Sequence, residues 1–239
     1  MLLYHRPNEF CDGSRKNVLL FDVRGARILP YAQPTGKPMM KNVDARVPDL
    51  RKSVCAAYSA AARTPFAEHA FPVGREFALS LGYPADVVNA FPAAAVDAFT
   101  GVSNVARFAQ IPKGAVVLDL GCGAGLDSLI AARRAGDDGR VVGVDFSSPM
   151  LARARQSARE AAIGQVVYVQ ADAEQLPLAD RSIDVALVNG IFNLNLRRSE
   201  IFGELGRVMR EDGAVYAAEL ILREPLPPDE TPSEADWFA

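Results

Sequence analysis

Cysteine and histidine are scarce in this sequence of 239 residues. The three cysteines, Cys11, Cys55 and Cys122, form an odd set without CxxC spacing, and His5 and His69 are the only histidines. Structural zinc sites need four such ligands at short, regular spacings. The sequence therefore predicts no metal site, and free thiols of this kind are typical of a reducing compartment such as the cytoplasm.

Long apolar runs and an excess of positive charge are also missing. No stretch approaches the roughly 20 apolar residues that span a bilayer, and the first residues, MLLYHRPNEF, lack the basic start and apolar run of a secretory signal. A net charge of -3 leaves no overall positive field that would attract nucleic acid. We expect a cytoplasmic protein whose partner is a small-molecule substrate rather than a membrane or a nucleic acid.

The hydrophobic content of 49% is enough for a substantial core, and the N-terminal half divides into two parts. Residues 1–48 form an extension in which the runs NVLLFDV and RILPYA are predicted to pair as a β-hairpin around Gly25, followed by a proline-rich linker. Residues 49–112 are predicted to form a helical cap whose first helix has Asp49 as its N-cap.

The rest of the chain alternates between valine-rich strands and helices. The predicted strands are AVVLDLGCG, RVVGVDF, QVVYVQAD, SIDVALVNG and AVYAAELIL, and the predicted helices are Leu126 to Ala135, Pro149 to Ala162 and Ser199 to Arg210. This order is typical of a mostly parallel sheet covered on both faces, so residues 113–224 are predicted to be a doubly wound α/β domain. Gly136 and Gly164 are placed to end the first two helices, and residues 225–239 form a proline-rich tail.

A glycine turn follows the first predicted strand, in LDLGCGAG. In an open parallel sheet, ligands bind outside the carboxyl ends of the strands, and Gly121, Gly123 and Gly125 allow a ligand to approach the backbone there. Asp145 ends the next strand 20 residues after Gly125, which is the spacing of an acid that binds ribose hydroxyls. The pattern indicates a nucleoside-containing ligand.

Two details argue against a dinucleotide. The sixth position of the G-x-G-x-x-G motif is Leu126 rather than glycine, and Asp119 stands just before the turn. An anion repels a pyrophosphate but attracts the ammonium of an amino-acid tail. We therefore favour a cofactor with a ribose and an α-amino group over a nicotinamide dinucleotide.

The motifs VVLDLGCGAG, VVGVDFS, VQADAEQLP and IDVALVNG, in this order, resemble those of the Rossmann-like (class I) S-adenosylmethionine-dependent methyltransferases. The resemblance implies that S-adenosyl-L-methionine is the cofactor. It implies that the turn from Gly121 to Gly125 holds the methionine end with Asp119 near the amino group, and that Asp145 binds the ribose. It also implies that Asp172 and the Ala173 amide contact the adenine.

By the same resemblance, Asn189 lies along the methionine chain, and neighbouring motif residues complete the site. The residues predicted to bind the cofactor are Asp119, Gly121, Cys122, Gly123, Gly125, Asp145, Phe146, Asp172, Ala173, Asn189 and Gly190.

The stretches SLGYPADVVNAFP, AFTGVSN and GRVMREDGAVYAAELIL and the terminal ADWFA further resemble the arsenite methyltransferase group and its cysteine-poor relatives. That group binds the metalloid with thiolates, and soft thiolates must lie close together to do so. Here Gly190 occupies one expected cysteine position, FTGVSN has no cysteine, and Cys55 is left as a lone thiol of the cap. We therefore expect the cofactor of this group but not its substrate.

The sheet edge beside the last predicted strand needs a neighbour. Methyltransferases of this fold usually have two further strands there, whereas 17 residues rich in proline follow Leu222. An open edge invites aggregation. We therefore predict that the hairpin from Val18 to Tyr31 takes this edge, either in its own sheet or across a homodimer.

No catalytic side chain is evident, and four candidates stay open. His69 is either a general base or a structural residue, and Tyr58 either belongs to the core or closes over the cofactor. Phe192 and Asn193 follow the strand that ends in Asn189, where a substrate would lie. Cys122 is interpreted as a small, buried residue that packs inside the turn rather than as a catalytic thiol.

These features predict a methyltransferase that acts on a small molecule by in-line methyl transfer. The sulfonium is already activated, so positioning of the nucleophile can supply most of the catalysis, and a base is needed only for a protonated acceptor. Two alternatives stay open. One is an arsenite methyltransferase-like activity with an atypical thiol set, and the other is a non-catalytic S-adenosylmethionine-binding dimerisation module.

Overall fold

The computed structural model describes residues 2–4, 16–24 and 43–222, with side chains from Leu50 to Leu220. Within these residues the strands form one sheet in the order β1-β2-β7-β6-β3-β4-β5. The strands are β1 Leu2–Tyr4, β2 Lys16–Arg24, β3 Val116–Leu120, β4 Arg140–Asp145, β5 Val166–Gln170, β6 Ile183–Asn189 and β7 Met209–Leu222. Strands β3 to β7 pair in parallel, so the predicted doubly wound α/β fold is confirmed.

Five helices precede the parallel strands in the described chain, and three connect them. The helices are α1 Val43–Arg63, α2 Arg75–Ser80, α3 Ala85–Asn89, α4 Ala93–Val96, α5 Val105–Phe108, α6 Leu126–Ala135, α7 Ser148–Glu160 and α8 Arg198–Val208. None of the described helices is long and apolar enough to cross a membrane. Because α1 begins at Val43, Asp49 lies inside the helix and the prediction of an N-cap there is wrong.

The ends of α6 and α7 show where cap residues were predicted well and where they were not. Helix α6 ends at Gly136 with φ of 80°, as predicted. The N-cap of helix α7 is Ser147, whose hydroxyl accepts a hydrogen bond from the Met150 amide at 3.4 Å. It is followed by Ala162, whose φ of 53° reverses the chain, while Gly164 has no positive φ. The predicted cap at Gly164 is therefore wrong, and a residue with a side chain makes the turn.

The sheet separates two apolar layers. On one face, Val117, Leu187 and Tyr216 pack with α6, α7 and the N-terminal helices. On the other face, Leu118 and Val188 pack with α8. Because the central strands are buried on both faces, they have nearly continuous apolar sequences instead of alternating ones.

An N-terminal strand covers the edge beside β7. Strand β2 pairs antiparallel with β7, with Val18 opposite Leu220 and Arg24 opposite Ala214. The prediction that this segment takes the edge is confirmed for residues 18–24, within the chain's own sheet. The second strand of the predicted hairpin lies outside the described residues, and β1 is the neighbour that pairs with β2.

The strand order reverses at β3. Strand β4 pairs on one side of β3 and β6 on the other, so the connections leave β3 and β6 in opposite directions. A crevice opens at the carboxyl ends of the strands where this happens, and it is the usual ligand site of the fold.

Candidate active site

Two adjoining cavities occupy the crevice. They enclose about 660 and 700 Å³, which includes space open to solvent. Both are bounded by Gly121, Asp145, Phe146, Ile191 and Leu194, so they are two compartments of one elongated site. We call them the first cavity, on the side of the glycine turn and α4, and the second cavity, on the side of the β5–β6 connection.

The residues predicted to bind the cofactor all line these cavities. In the first cavity lie Asp119, Gly121, Cys122, Gly123, Gly125, Asp145, Phe146, Asn189 and Gly190. In the second lie Asp172 and Ala173, together with the shared residues. The fold thus brings four separate motifs to one site, while their contact with a cofactor stays a prediction.

Three successive backbone amides of the glycine turn are bonded within the protein. The amides of Gly121 and Cys122 donate to the Val144 carbonyl at 2.8 and 3.0 Å, and the Gly123 amide donates to Asp145 at 2.9 Å. A pyrophosphate needs free amides at this position. The geometry therefore agrees with the argument against a dinucleotide.

Asp145 is held rigidly between the turn and the start of α7. One carboxylate oxygen accepts from Gly123, and the other accepts from the Ser147 amide at 2.7 Å. Burial raises the pKa of Asp145 to about 6, against these hydrogen bonds, which lower it. The Phe146 amide is a third donor to this carboxylate. A carboxylate has about four acceptor sites, so Asp145 can still accept from a ribose hydroxyl.

Asp119 is buried at the end of β3, with 2% of its surface exposed. Its carboxylate accepts from the Ser128 hydroxyl at 2.5 Å. Burial, followed by the negative charge of Asp127, raises the pKa of Asp119 to about 8. Among the described residues, no lysine, arginine or histidine lines the first cavity, so a cation would be electrostatically favoured there.

Asp127 is a cavity residue that the sequence analysis did not identify. It follows Leu126 in the first turn of α6 and is buried. The Tyr83 hydroxyl donates to one carboxylate oxygen at 2.5 Å, and the Asn189 amide donates to the other at 2.9 Å. Its signal in the sequence was an acid directly after the glycine turn, at the ligand edge of the sheet.

The side chain of Asn189 is fully engaged with protein groups. Its carbonyl oxygen accepts from the amides of Val102 and Ser103 at 2.9 and 3.1 Å, and its amide donates to Ser103 and Asp127. Asn189 borders the first cavity as predicted, but its polar atoms hold the loop after α4 rather than face an open cavity.

The second cavity contains an ion pair. Arg51 of α1 pairs with Asp172, and both side chains are about half exposed. Asp172 is thus at the predicted adenine end, with a cationic partner from the helix above it. Exposed ion pairs of this kind contribute little to stability, so a ligand group could replace Arg51 as the partner of Asp172 at little energetic cost.

Tyr58 of α1 lines the first cavity. Its ring stacks on Phe71 at 4.7 Å between centroids. Burial and the negative charges of Glu219 and Asp145 raise the pKa of Tyr58 well above its ordinary value. The hydroxyl therefore stays protonated and cannot serve as a general base near neutral pH.

The other three catalytic candidates line neither described cavity. Phe192 is buried and stacks on Phe202 at 4.8 Å, in the layer on the α8 face. The Asn193 side chain donates to the Leu220 carbonyl. Neither described cavity therefore supports a substrate-facing role for these two residues, which stays a prediction. The loop after Gly190, where φ is 81°, directs the side chains of Ile191 and Leu194 to the cavities instead.

His69 lies in the loop after α1. Its ring is hydrogen-bonded to the Thr64 carbonyl at 2.9 Å and stacks on Phe71. These contacts agree with the structural interpretation and remove the support for a general base.

Glu219 was also missed from the sequence. It is buried near the carboxyl end of β7 and accepts hydrogen bonds from the amides of Phe192, Asn193 and Leu220, at 2.6, 3.2 and 3.0 Å. Burial raises its pKa. With its oxygens occupied by three amides, this carboxylate positions the loop that borders both cavities.

Thiols contribute little to the described site. Cys122 lines the first cavity, but burial raises the pKa of its thiol well above the ordinary value. Cys55 is half-buried on α1 and lines neither cavity, and Cys11 lies outside the described residues. Where the structure describes the chain, no group of three histidine, cysteine or acidic residues is placed to hold a metal ion.

The fold and the acid-lined crevice define a nucleoside-binding α/β domain of the methyltransferase type. Residues 111–237, more than half of the chain, match a family described as methyltransferase domain. The chain belongs to this family. The resemblance to class I S-adenosylmethionine-dependent methyltransferases is therefore confirmed, and S-adenosylmethionine is the cofactor of that class.

Individual relatives agree on the family but differ in substrate. The chain is 36% identical over 149 residues to an arsenite methyltransferase of Halobacterium salinarum, covering 62% of this chain and 38% of the relative. It is 32% identical over 108 residues to a demethylmenaquinone methyltransferase of Listeria welshimeri, covering 45% of each chain. The chain thus spans less than half the length of these curated relatives.

One solved structure supports the fold alone. Phosphoethanolamine N-methyltransferase 1 of Haemonchus contortus superposes with a TM-score of 0.52 at 18% identity, covering 72% of this chain and 32% of that protein.

Proposed function

We propose that the protein transfers the methyl group of S-adenosylmethionine to a small molecule, with the cofactor lying across both cavities. The observation that carries the proposal is the spacing of three acids along one crevice. Asp119 lies in the first cavity, Asp145 at the junction, and Asp172 in the second cavity. These match, in order, an ammonium, a ribose and an adenine amino group.

The residues present fit this cofactor. Gly121 and Gly123 have φ values of 74° and 51°, a region that favours glycine. Because glycine has no Cβ, a ligand can approach the backbone closely at both positions. Asp119 and Asp145 are acceptors, as an ammonium and hydroxyls require. Ala173 borders the second cavity beside Asp172, and its amide would contact the adenine.

The bound cofactor supplies an activated methyl group, and the chain's own residues bind and orient. The acids would fix the two ends of the cofactor, and Tyr58 and Leu194 also border the first cavity. Exclusion of water and alignment can supply about 7 to 11 kcal/mol in the best cases. The protein then needs no catalytic side chain, provided that the acceptor arrives unprotonated.

Two residues near the first cavity are unavailable as general bases, which supports this mechanism. The Tyr58 hydroxyl stays protonated, and the Glu219 oxygens are occupied by backbone amides. A neutral amine or an acceptor that is already ionised suits the site better than an alcohol.

Arsenite is a second candidate acceptor, favoured by the 36% identity to the Halobacterium salinarum enzyme. Against it, the described thiols do not converge on the first cavity. A non-catalytic module that binds the cofactor is the third alternative.

Turnover of methyl-labelled S-adenosylmethionine tests the proposal. We expect label transfer to at least one member of a panel of amines, thiols, quinols and arsenite. Transfer to any acceptor rules out the non-catalytic module, and arsenite as the best acceptor would overturn the thiol argument. In a thermal-shift control, S-adenosylhomocysteine should stabilise the protein and NAD should not; stabilisation by NAD alone would contradict the proposal.

A further inference from the structure

The first cavity contains a buried acid that the proposed function does not use. Asp127 is 6% exposed and lines the same cavity as Asp119. The negative charge of Asp127 is the second-largest cause, after burial, of the raised pKa of Asp119. Two carboxylates that share a water-poor site repel each other unless a cation lies between them.

The partners of Asp127 fix the direction of its carboxylate. Burial raises the pKa of Asp127, and the hydrogen bonds from Tyr83, Asn189 and the Ala106 amide oppose that rise. Each carboxylate oxygen accepts one of the two side-chain bonds, and the Ala106 amide donates a third. A carboxylate has about four acceptor sites, so one is left for a ligand.

Both side-chain partners lead to the N-terminal helices and their loops: Tyr83 belongs to that region, and Asn189 of β6 is hydrogen-bonded to it. Tyr83 lies between α2 and α3 and stacks edge-on against Phe99 at 5.2 Å. Asn189 holds the amides of Val102 and Ser103 while it donates to Asp127. The Asp127 carboxylate of α6 is therefore hydrogen-bonded both to β6 and to the N-terminal helical region.

We propose that Asp127 is a specificity-determining residue that forms, together with Asp119, a two-carboxylate site for the α-ammonium group of the cofactor. Through Asn189, Asp127 also connects recognition of that group to the loop after α4. This inference rests on the proposed function. Asp127 is then a second binding partner for the amino group, in addition to Asp119, and a ligand without that amino group should bind less tightly.

The variant D127N removes the charge and can preserve the hydrogen bonds with Tyr83 and Asn189. The new amide can keep its oxygen on Asn189 and donate to the Tyr83 hydroxyl, which can turn its own proton to the Ser103 carbonyl at 3.2 Å. The matched control is D138N, at an exposed acid in the turn after α6 that lines neither cavity.

Calorimetric titration with S-adenosylhomocysteine and with its analogue lacking the α-amino group provides the test. D127N should lose about tenfold or more in affinity for S-adenosylhomocysteine, because it removes one partner of a buried charge pair. Its affinity for the deaminated analogue should be unchanged, and D138N should match the wild type for both. Equal losses for the two ligands, or no loss, would overturn the inference alone. A wild-type protein that binds neither ligand overturns the proposed function as well.

A second variant covers the case in which D127N does not fold. Y83F keeps the carboxylate but removes a donor that lowers the pKa of Asp127. The titratable groups that interact with Asp127 are Tyr83 and Asp119, and Asp145 in turn acts on Asp119. The ratio of S-adenosylhomocysteine affinity at pH 9 to that at pH 6 should therefore be larger in Y83F than in the wild type, and an unchanged ratio contradicts the inference.

Discussion

The Glu219 carboxylate accepts a hydrogen bond from the backbone amide of Phe192 at 2.6 Å. The bond joins the end of β7 to the loop that follows β6, and the Asn193 amide shares the same oxygen. Ile191 and Leu194 of this loop border both cavities. An acid outside the cavities thus fixes the backbone between them.

The variant E219Q should lower the free energy of unfolding. One carboxylate oxygen accepts two amides and the other accepts the Leu220 amide, so a glutamine amide would place a donor against a donor. Leaving a buried donor unsatisfied costs about 1 to 3 kcal/mol. Urea unfolding at neutral pH measures this loss, and E76Q, at an exposed acid of α2, should unfold like the wild type. Equal stability of E219Q and the wild type would show that these hydrogen bonds do not hold the loop.

The affinity for S-adenosylhomocysteine should rise with pH through about 8, where Asp119 ionises in the free protein. Below that pH the carboxyl is protonated and neutral, and an ammonium ligand must displace the proton. Above it the acid is ionised before binding. The charged groups facing Asp119 are Asp127 and Asp145, while Ser128 donates to it.

The loss of affinity approaches tenfold per pH unit below the midpoint if one proton is released. Calorimetry in buffers of different ionisation enthalpy measures that proton directly. The variant D119N should bind more weakly and show a flatter pH profile. A wild-type affinity that is constant from pH 6 to 9 would mean that Asp119 does not meet the ammonium group.

The parallel sheet and the cofactor motifs could be predicted because local sequence carries them. Helix α6 has the predicted bounds, Leu126–Ala135, since a glycine turn starts it and a glycine ends it. Tertiary partners could not be predicted in this way. Tyr83 and Asp127 lie 44 residues apart, and nothing in either segment shows that a tyrosine of a short helical region meets the first turn of α6.

The loop after β6 shows a second limit. Phe192 and Asn193 follow the strand end, and their positions in the sequence are compatible with either face of the sheet. The positive φ at Gly190 decides the direction, because it sends Phe192 into the layer with Phe202. Glycine permits that conformation but does not predict it, since glycine adopts negative φ equally well.

The variant A162G should stabilise the protein. Ala162 has φ of 53° after α7, a conformation that costs an L-residue about 1 kcal/mol and glycine almost nothing. Because glycine also loses more backbone entropy on folding, we expect a net gain of about 0.5 kcal/mol. Thermal unfolding measures it. The neighbouring variant A161G, at a residue with helical φ of −80°, should be destabilising, and a gain in both variants would contradict the argument from backbone conformation.

The variant G121A should impair both stability and ligand binding. Gly121 has φ of 74°, and a Cβ there would collide with the side chain of Ile191, which borders both cavities. The strained backbone alone costs about 1 kcal/mol, and relief of the collision requires the loop after β6 to move. The melting temperature should fall, and S-adenosylhomocysteine should stabilise the variant less than the wild type.

The control for this variant is G164A, because Gly164 has no positive φ and a Cβ there would meet no atom within 4 Å. It should melt at or slightly above the wild-type temperature, since alanine restricts the unfolded chain. Its ligand-induced shift should equal that of the wild type. If G121A instead kept the full ligand-induced shift, the glycine turn would not border the bound cofactor, and the ligand would have to lie mainly in the second cavity.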